Sequence, residues 1–181
     1  MVVFTVGHSS RPLAELLLML QDAGVEVLAD IRRFPGSRRF PHFGQEALAQ
    51  ALAEVGLEYQ WLRELGGRRK SSVPRAESAN RGFEVEAFRN YADALTTTEM
   101  EAGFARLESL ARARRTAILC AEKLFWQCHR RIVSDVLLAR GWQVEHLVDP
   151  GVTRPHVLTT FAHVEHGRVT YPPAQGQLFE S

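Results

Sequence analysis

The sequence predicts an α/β fold: a mostly parallel five-stranded sheet with helices on both faces, making three layers, followed by a C-terminal hairpin or tail. Three observations carry this. Short apolar runs of strand length recur, each followed by a glycine or a polar cluster. Between them lie longer stretches with helical spacing and recognisable end signals. Strands and helices alternate, and such alternation closes most simply into a parallel sheet through crossover connections.

Val2 to Val6 is apolar and rich in β-branched residues, and Gly7 ends it, so it reads as a buried strand. Ser9 and Ser10 offer N-caps, Pro12 suits a first turn, and Leu13 to Leu20 is the first helix, ended by Gly24. Val25 to Ala29 is the second strand, with Asp30 at its carboxyl end and a Pro-, Gly- and Arg-rich loop from Ile31 to Gly44. Gln45 to Val55 is a helix and Leu57 to Trp61 the third strand. Leu62 to Gly82 is a basic loop of about 20 residues, a length that in a compact domain marks a functional or mobile segment. Glu84 to Leu95 and Glu99 to Ala113 are helices separated near Thr97, and Thr116 to Cys120 is the fourth strand. Cys128 to Arg140 is a helix closed by Gly141, and Trp142 to Val148 is the fifth strand, broken by Asp149-Pro150-Gly151. Ala162 to Tyr171 carries a His166-Gly167 turn and reads as a terminal hairpin, with Pro172-Pro173 leading into an exposed end. Residues 1–150 are thus expected to form one α/β domain and 151–181 a C-terminal extension.

Composition narrows the class. At 181 residues, with 45% hydrophobic and 24% charged residues, the chain suits one globular domain that buries a core without staples. Two cysteines make no disulfide framework, nothing at the start reads as a signal peptide, and no apolar run is long enough to span a membrane. A reduced, cytoplasmic protein without a membrane partner is expected. The net charge of +1 hides an asymmetry: from Arg32 to Arg81 ten basic residues face five acidic ones. Twenty of the 22 basic residues are arginine, which suits bidentate contact with phosphate, although a GC-rich genome would produce the same bias.

In open parallel sheets, ligands bind beyond the carboxyl ends of the strands. There this sequence places Gly7, His8 and Ser9; Asp30, Arg32 and Arg33, with Ser37 in the loop; Arg63, Gly66 and Gly67; and Cys120, Glu122, Lys123, Cys128, His129 and Arg130. Thr5-Val6-Gly7-His8-Ser9, Asp30-Ile31-Arg32 with Pro35 and Ser37, Leu65-Gly66-Gly67, and Cys120-Ala121-Glu122-Lys123 followed by Cys128-His129-Arg130 resemble the signature blocks of the domain of unknown function 488 family, in order, over about residues 3 to 148. The resemblance implies a compact three-layer α/β domain. It settles no activity, although a minority of relatives is connected with removing damaged bases from DNA.

Each constellation has a functional and a structural reading. Asp30 is a candidate general base, or a structural partner of Arg32. With Glu122 it would form a carboxylate pair able to activate water and stabilise a sugar cation as a glycosidic bond breaks. Arg32 and Arg130 suit a phosphate or carboxylate clamp, or ion pairs with Asp30 and Glu122. His8, Ser9, Ser37, Gly66, Gly67, Cys120 and Lys123 are candidate ligand-binding residues. Cys128 falls near a helix N-terminus beside His129 and Arg130, a setting that lowers thiol pKa. The Cys-x7-Cys-His spacing lacks the paired knuckle of structural zinc sites, so no metal and no cofactor is expected. Phe34, Phe40, Phe43, Tyr59, Trp61, Phe125 and Trp126 lie among the basic loops and can stack on an exposed base or anchor the loops.

The C-terminal Gln175-Gly176-Gln177-Leu178-Phe179 resembles the Gln-x-x-Leu-Phe pentapeptide by which bacterial replication and repair proteins dock on the sliding clamp. Gln175, Leu178 and Phe179 are the candidate partner-binding residues, with Leu178 and Phe179 as apolar anchors for a partner's groove. The first functional expectation is therefore an enzyme on DNA that excises a damaged base by glycosidic hydrolysis, with Asp30 and Glu122 handling water and the sugar cation; Cys128 and His129 are the further catalytic candidates, Cys128 as the nucleophile of a thiol reaction. The alternatives are a thiol-dependent small-molecule enzyme and a non-catalytic nucleic-acid-binding module.

Overall fold

The computed structural model describes residues 1–36 and 39–173. Its strands are β1 (Val2–Gly7), β2 (Val27–Asp30), β3 (Glu58–Trp61), β4 (Thr116–Cys120), β5 (Gln143–Asp149) and β6 (Val152–Pro155), in the spatial order β3-β2-β4-β1-β5-β6. The first five are mutually parallel, and β6 runs antiparallel along β5. The sheet is therefore mostly parallel, as expected, but six-stranded rather than five-stranded. The added strand, Val-Thr-Arg-Pro, is exposed throughout and ends in proline, so it has neither the apolar run of a buried strand nor alternation. Pairing with β5 after the Asp149-Pro150-Gly151 break defines it.

Alternation along the parallel strands sorts two cores. Phe4, Val6, Leu28, Ala117 and Leu119 face α1 (Leu13–Asp22) and α2 (Gln45–Glu54), which contribute Leu16, Met19, Leu20, Leu48 and Leu52. Val3, Ala29, Ile31, Ile118 and Cys120 belong to the other core, with α3 (Glu86–Asp93), α4 (Thr98–Ala113) and α5 (Arg130–Ala139). Helices thus cover both faces. Leu16 and Leu20 are one helical turn apart and fully buried, and each contributes roughly 1.5–3 kcal/mol. The α4 helix begins where Thr97 Oγ1 accepts from the Met100 amide, an N-cap that separates it from α3. Among the described residues, no helix is long and apolar enough to cross a membrane.

Beyond β6, β7 (His163–Glu165) and β8 (Arg168–Thr170) form the expected hairpin. Its turn residues His166 and Gly167 both have positive φ, 49° and 76°, as a two-residue hairpin turn of the I′ kind requires. Tyr171 then enters the core beside Phe83 and Phe161. Its hydroxyl donates to Asp135 Oδ2 at 2.8 Å. Asp135 Oδ1 also accepts from the Thr159 amide and from His156 Nε2, each at 2.9 Å. A carboxylate only accepts, so His156 carries its proton on Nε2, and its Nδ1 accepts from His146 Nε2 at 2.9 Å. His146 Nδ1 in turn accepts from the Thr5 hydroxyl at 2.6 Å. Arg130 Nη1 donates to that Thr5 oxygen at 3.3 Å. Each ring nitrogen in this buried chain has a defined role, and the chain ties the C-terminal segment to the arginine under the sheet's rim. Burial, reinforced by the neighbouring His156 and Arg130, lowers the pKa of His146 to about 3.

Candidate active site

The strands β2, β4 and β1 are neighbours, so their carboxyl ends bring three sequence-distant segments together. Gly7 pairs with Cys120 and Asp30 with Leu119. The amides of His8 and Ser9 continue the ladder to the carbonyls of Cys120 and Ala121, at 3.0 and 2.8 Å. A Cβ on Gly7 would lie 1.8 Å from the Glu122 carbonyl oxygen, so only glycine lets the 120–123 segment fold over the end of β1.

A cavity of about 300 Å³ opens on this rim. His8, Arg32, Cys120, Glu122 and His129 line it, with Arg33, Phe34, Gly67 and Arg68 at its walls. Larger depressions, of about 540 and 640 Å³, are more open to solvent and hold neither cysteine nor histidine.

Two cysteines and a histidine meet at the rim. His129 Nδ1 lies 3.7 Å from Cys120 Sγ and 3.6 Å from Cys128 Sγ. Its Nε2 lies 3.1 Å from the Ile31 carbonyl, which can only accept, so Nε2 carries the proton. The lone pair of Nδ1 therefore faces both sulfurs. The α5 helix starts just beyond, and the Arg130 amide donates to Cys128 Sγ at 3.4 Å. Burial by itself would push the Cys128 thiol up. The hydrogen bond from Cys120, His129 and the Arg130 guanidinium outweigh it and hold Cys128 well below the ordinary thiol range. Cys120 moves the opposite way, raised by its hydrogen bond to Cys128 and by burial. Two thiols this close lose their protons in steps that belong to the pair. Arg130 is 1% exposed and makes no carboxylate ion pair among the described residues, and its charge favours the thiolate form of Cys128. The guanidinium also donates to the Thr5 hydroxyl and to the Glu122 and Lys123 carbonyls, holding the segment above it.

The remaining candidates sort by position. Asp30 is wholly buried and is not part of the cavity wall. Its carboxylate accepts from the Arg32 amide at 2.9 Å, from Arg32 Nη2 at 2.5 Å and from the Tyr59 hydroxyl at 2.7 Å. Burial followed by the Asp30 charge raises the Tyr59 pKa, so the phenol stays a donor. Burial disfavours the Arg32 charge, but hydrogen bonding and charge from Asp30 reverse that and raise its pKa. Arg32 Nη1 also donates to the Phe43 carbonyl at 2.8 Å and lies 3.2 Å from His8 Nε2. His8 Nδ1 donates to the Ser9 carbonyl, leaving Nε2 to accept from Arg32. Burial lowers the His8 pKa to about 4, with Arg32 pulling the same way against the Ser9 hydrogen bond.

Glu122 is exposed at the cavity, while Lys123 pairs with Asp149 at 2.8 Å and does not line it. Ser9 is half-buried beside the rim, in the left-handed region with φ of 47°. A Cβ on Gly67 would stand 2.8 Å from His129 Nδ1, and one on Gly66 2.7 Å from Arg33 Cα, so both glycines permit close packing against the site. Ser37 and the tail residues Gln175, Leu178 and Phe179 lie outside the described residues. In the sequence Arg68 is one of the ten basic residues from Arg32 to Arg81. It lines the cavity with φ of 56°, a conformation a non-glycine residue seldom adopts, and its position beside Gly67 is the one sequence signal that points to it.

The family described as "Domain of unknown function DUF488" matches residues 12–137. No curated protein and no solved structure matches.

Proposed function

The chain belongs to the domain of unknown function 488 family, and from the geometry of its rim we propose that it is a thiol-dependent enzyme acting on a small anionic substrate. One observation carries this reading: two cysteine sulfurs share one imidazole nitrogen beside a cavity walled by arginines. A nucleophile must touch its substrate. Cys120 and His129 line the cavity and Cys128 does not, so the wall favours Cys120 for that role, with His129 Nδ1, 3.7 Å from its sulfur, as the group that takes its proton. Cys120 Sγ attacks an electrophilic carbon or sulfur, and an S–C or S–S bond forms. The leaving group departs with its electron pair and receives the proton from His129. Arg68 makes no ion pair among the described residues and is exposed at the wall, so it supplies charge for the substrate's anion.

Labelling the native chain with iodoacetate and with neutral iodoacetamide, with the adducts located by mass spectrometry, tests this. The expected result is a Cys120 adduct that forms faster with the anionic reagent, a preference that Arg68→Gln reduces and a rate that His129→Ala lowers. Cysteines that react only in the unfolded chain overturn the reading.

A second reading keeps DNA as the substrate and rests on Phe34, which is 66% exposed at the same cavity beside Arg33 and Arg68. An exposed aromatic face among arginines suits a flipped base with its flanking phosphates. Glu122, at the wall, is then the carboxylate that activates water, and the 175–179 segment recruits a sliding clamp. A lesion-oligonucleotide panel showing neither cleavage nor salt-sensitive binding removes it. Unchanged clamp affinity after deletion of residues 175–181 removes the docking.

A further inference from the structure

Cys120 Sγ, Cys128 Sγ and His129 Nδ1 all lie within 4.8 Å of one another. A tetrahedral zinc ion with Zn–S of about 2.3 Å and Zn–N of about 2.0–2.1 Å places its sulfur and nitrogen ligands about 3.6 Å apart. The two sulfur–nitrogen separations here are 3.7 and 3.6 Å. Both sulfur–nitrogen edges of such a polyhedron thus already have their length.

Their surroundings match as well. A metal-bound imidazole donates its other N–H to a fixed acceptor, which orients the ring, and His129 Nε2 faces the Ile31 carbonyl in that manner. The Arg130 amide directed at Cys128 Sγ stabilises a thiolate ligand. Gly67 packs on the ring edge at Nδ1, where any side chain would press on the coordinating nitrogen. Among the described residues, no fourth His, Cys, Asp or Glu completes the group, and Cys120 and His129 belong to the cavity wall. The fourth position therefore opens toward the cavity.

We propose that Cys120, Cys128 and His129 bind a thiophilic cation of the zinc type, with water or an anionic ligand in the fourth position. On binding, the sulfurs give up their remaining protons to solvent, and the two thiolates neutralise the dication. Hard cations such as Mg²⁺ and Ca²⁺, which take oxygen ligands, are excluded by the donor set. The inference deepens the thiol reading and rests on the same cluster being the reactive centre. A bound cation occupies both sulfurs and switches their covalent chemistry off.

The test uses the reduced full chain, titrated with Zn²⁺ against a chromogenic chelator and, separately, with Co²⁺. The expected result is one equivalent bound per chain, with thiolate-to-cobalt charge-transfer bands and the intense visible absorption of tetrahedral cobalt. Cys120→Ser and Cys128→Ser each weaken binding at least 100-fold, and His129→Gln at least tenfold, with far-UV circular dichroism unchanged. Equal Zn²⁺ affinity in the double Cys→Ser variant, or a pale octahedral cobalt spectrum, overturns the site. Labelling of the metal-free chain separates the two readings. Inert sulfurs in a chain that binds cobalt tetrahedrally remove the thiol chemistry and sustain the cation site. Reactive sulfurs in a chain whose cobalt stays octahedral overturn the cation site alone.

Discussion

Asp30→Ala separates a structural carboxylate from a catalytic one. In the native chain this carboxylate is sealed from solvent and accepts from Arg32 and Tyr59, and Arg32 is itself only 6% exposed. Removing Asp30 leaves a buried guanidinium without its counter-charge, which costs about 3–5 kcal/mol. The orphaned Tyr59 hydroxyl adds to this cost. Total stability for a domain is about 5–15 kcal/mol, so the loss is a large part of it. With a urea slope of about 2 kcal/mol per molar, the unfolding midpoint falls by about 1.5–2.5 M. Tryptophan fluorescence suits the assay, because Trp61 Nε1 donates to the Arg32 carbonyl at 3.0 Å and reports on this corner. The double variant Asp30→Ala/Arg32→Met recovers part of the loss, since no charge is then left unpaired. A midpoint shift under about 0.5 M in the single variant refutes the structural assignment, and if activity were lost with it, the carboxylate would be catalytic.

Acid should destabilise the fold before most carboxylates titrate. The His8 pKa is lowered from 6.5 to about 4, so between those values the unfolded chain binds more protons than the native one. Stability therefore rises with pH through this window and is lost as pH falls through it, by up to about 3 kcal/mol from His8 alone. His146, lowered to about 3, acts in the same direction, and His146→Asn should flatten the acid limb of a pH–stability profile measured by urea unfolding. Thr97→Ala removes the α4 cap and should cost about 1 kcal/mol in the same assay. Tyr171→Phe deletes a hydrogen bond to the buried Asp135 carboxylate and should cost about 1.5–3 kcal/mol, read as a lowered Tm. Gly67→Ala forces a methyl against His129 and should slow iodoacetate labelling while leaving the urea midpoint within about 1 M.

Much of this architecture is legible in the residues. The apolar runs at Val2, Val27 and Thr116 are strands because each side of the sheet is covered, and alternation between Phe4 and Val3, or Leu119 and Cys120, assigns the two cores. The His166-Gly167 turn is equally plain, because a two-residue turn needs positive φ. β6 is not legible, since an exposed edge strand has no apolar pattern and exists through its hydrogen bonds to β5. At the rim, the strand-end rule places His8, Arg32, Cys120 and Glu122 near one another, and they line one cavity. Which way each side chain points is a tertiary matter. Asp30 turns to Arg32 and Tyr59, and Lys123 turns to Asp149, a residue 26 positions away. The approach of Cys128 to Cys120 depends on the short turn at Phe125–Gln127, and the pinning of His129 depends on a main-chain carbonyl, which carries no sequence signal.

Which nitrogen of His129 faces the sulfurs uncovered decides both the base and the nitrogen donor at this rim, and long-range ¹⁵N–¹H correlation NMR of the labelled chain reads this directly. The predicted spectrum has a protonated Nε2 held by the Ile31 carbonyl, with Nδ1 either bare or carrying a proton received from a thiol. A ring protonated at Nδ1 alone, with Nε2 bare, would contradict the arrangement, since the two cysteines would then have no base between them and no nitrogen donor for a cation.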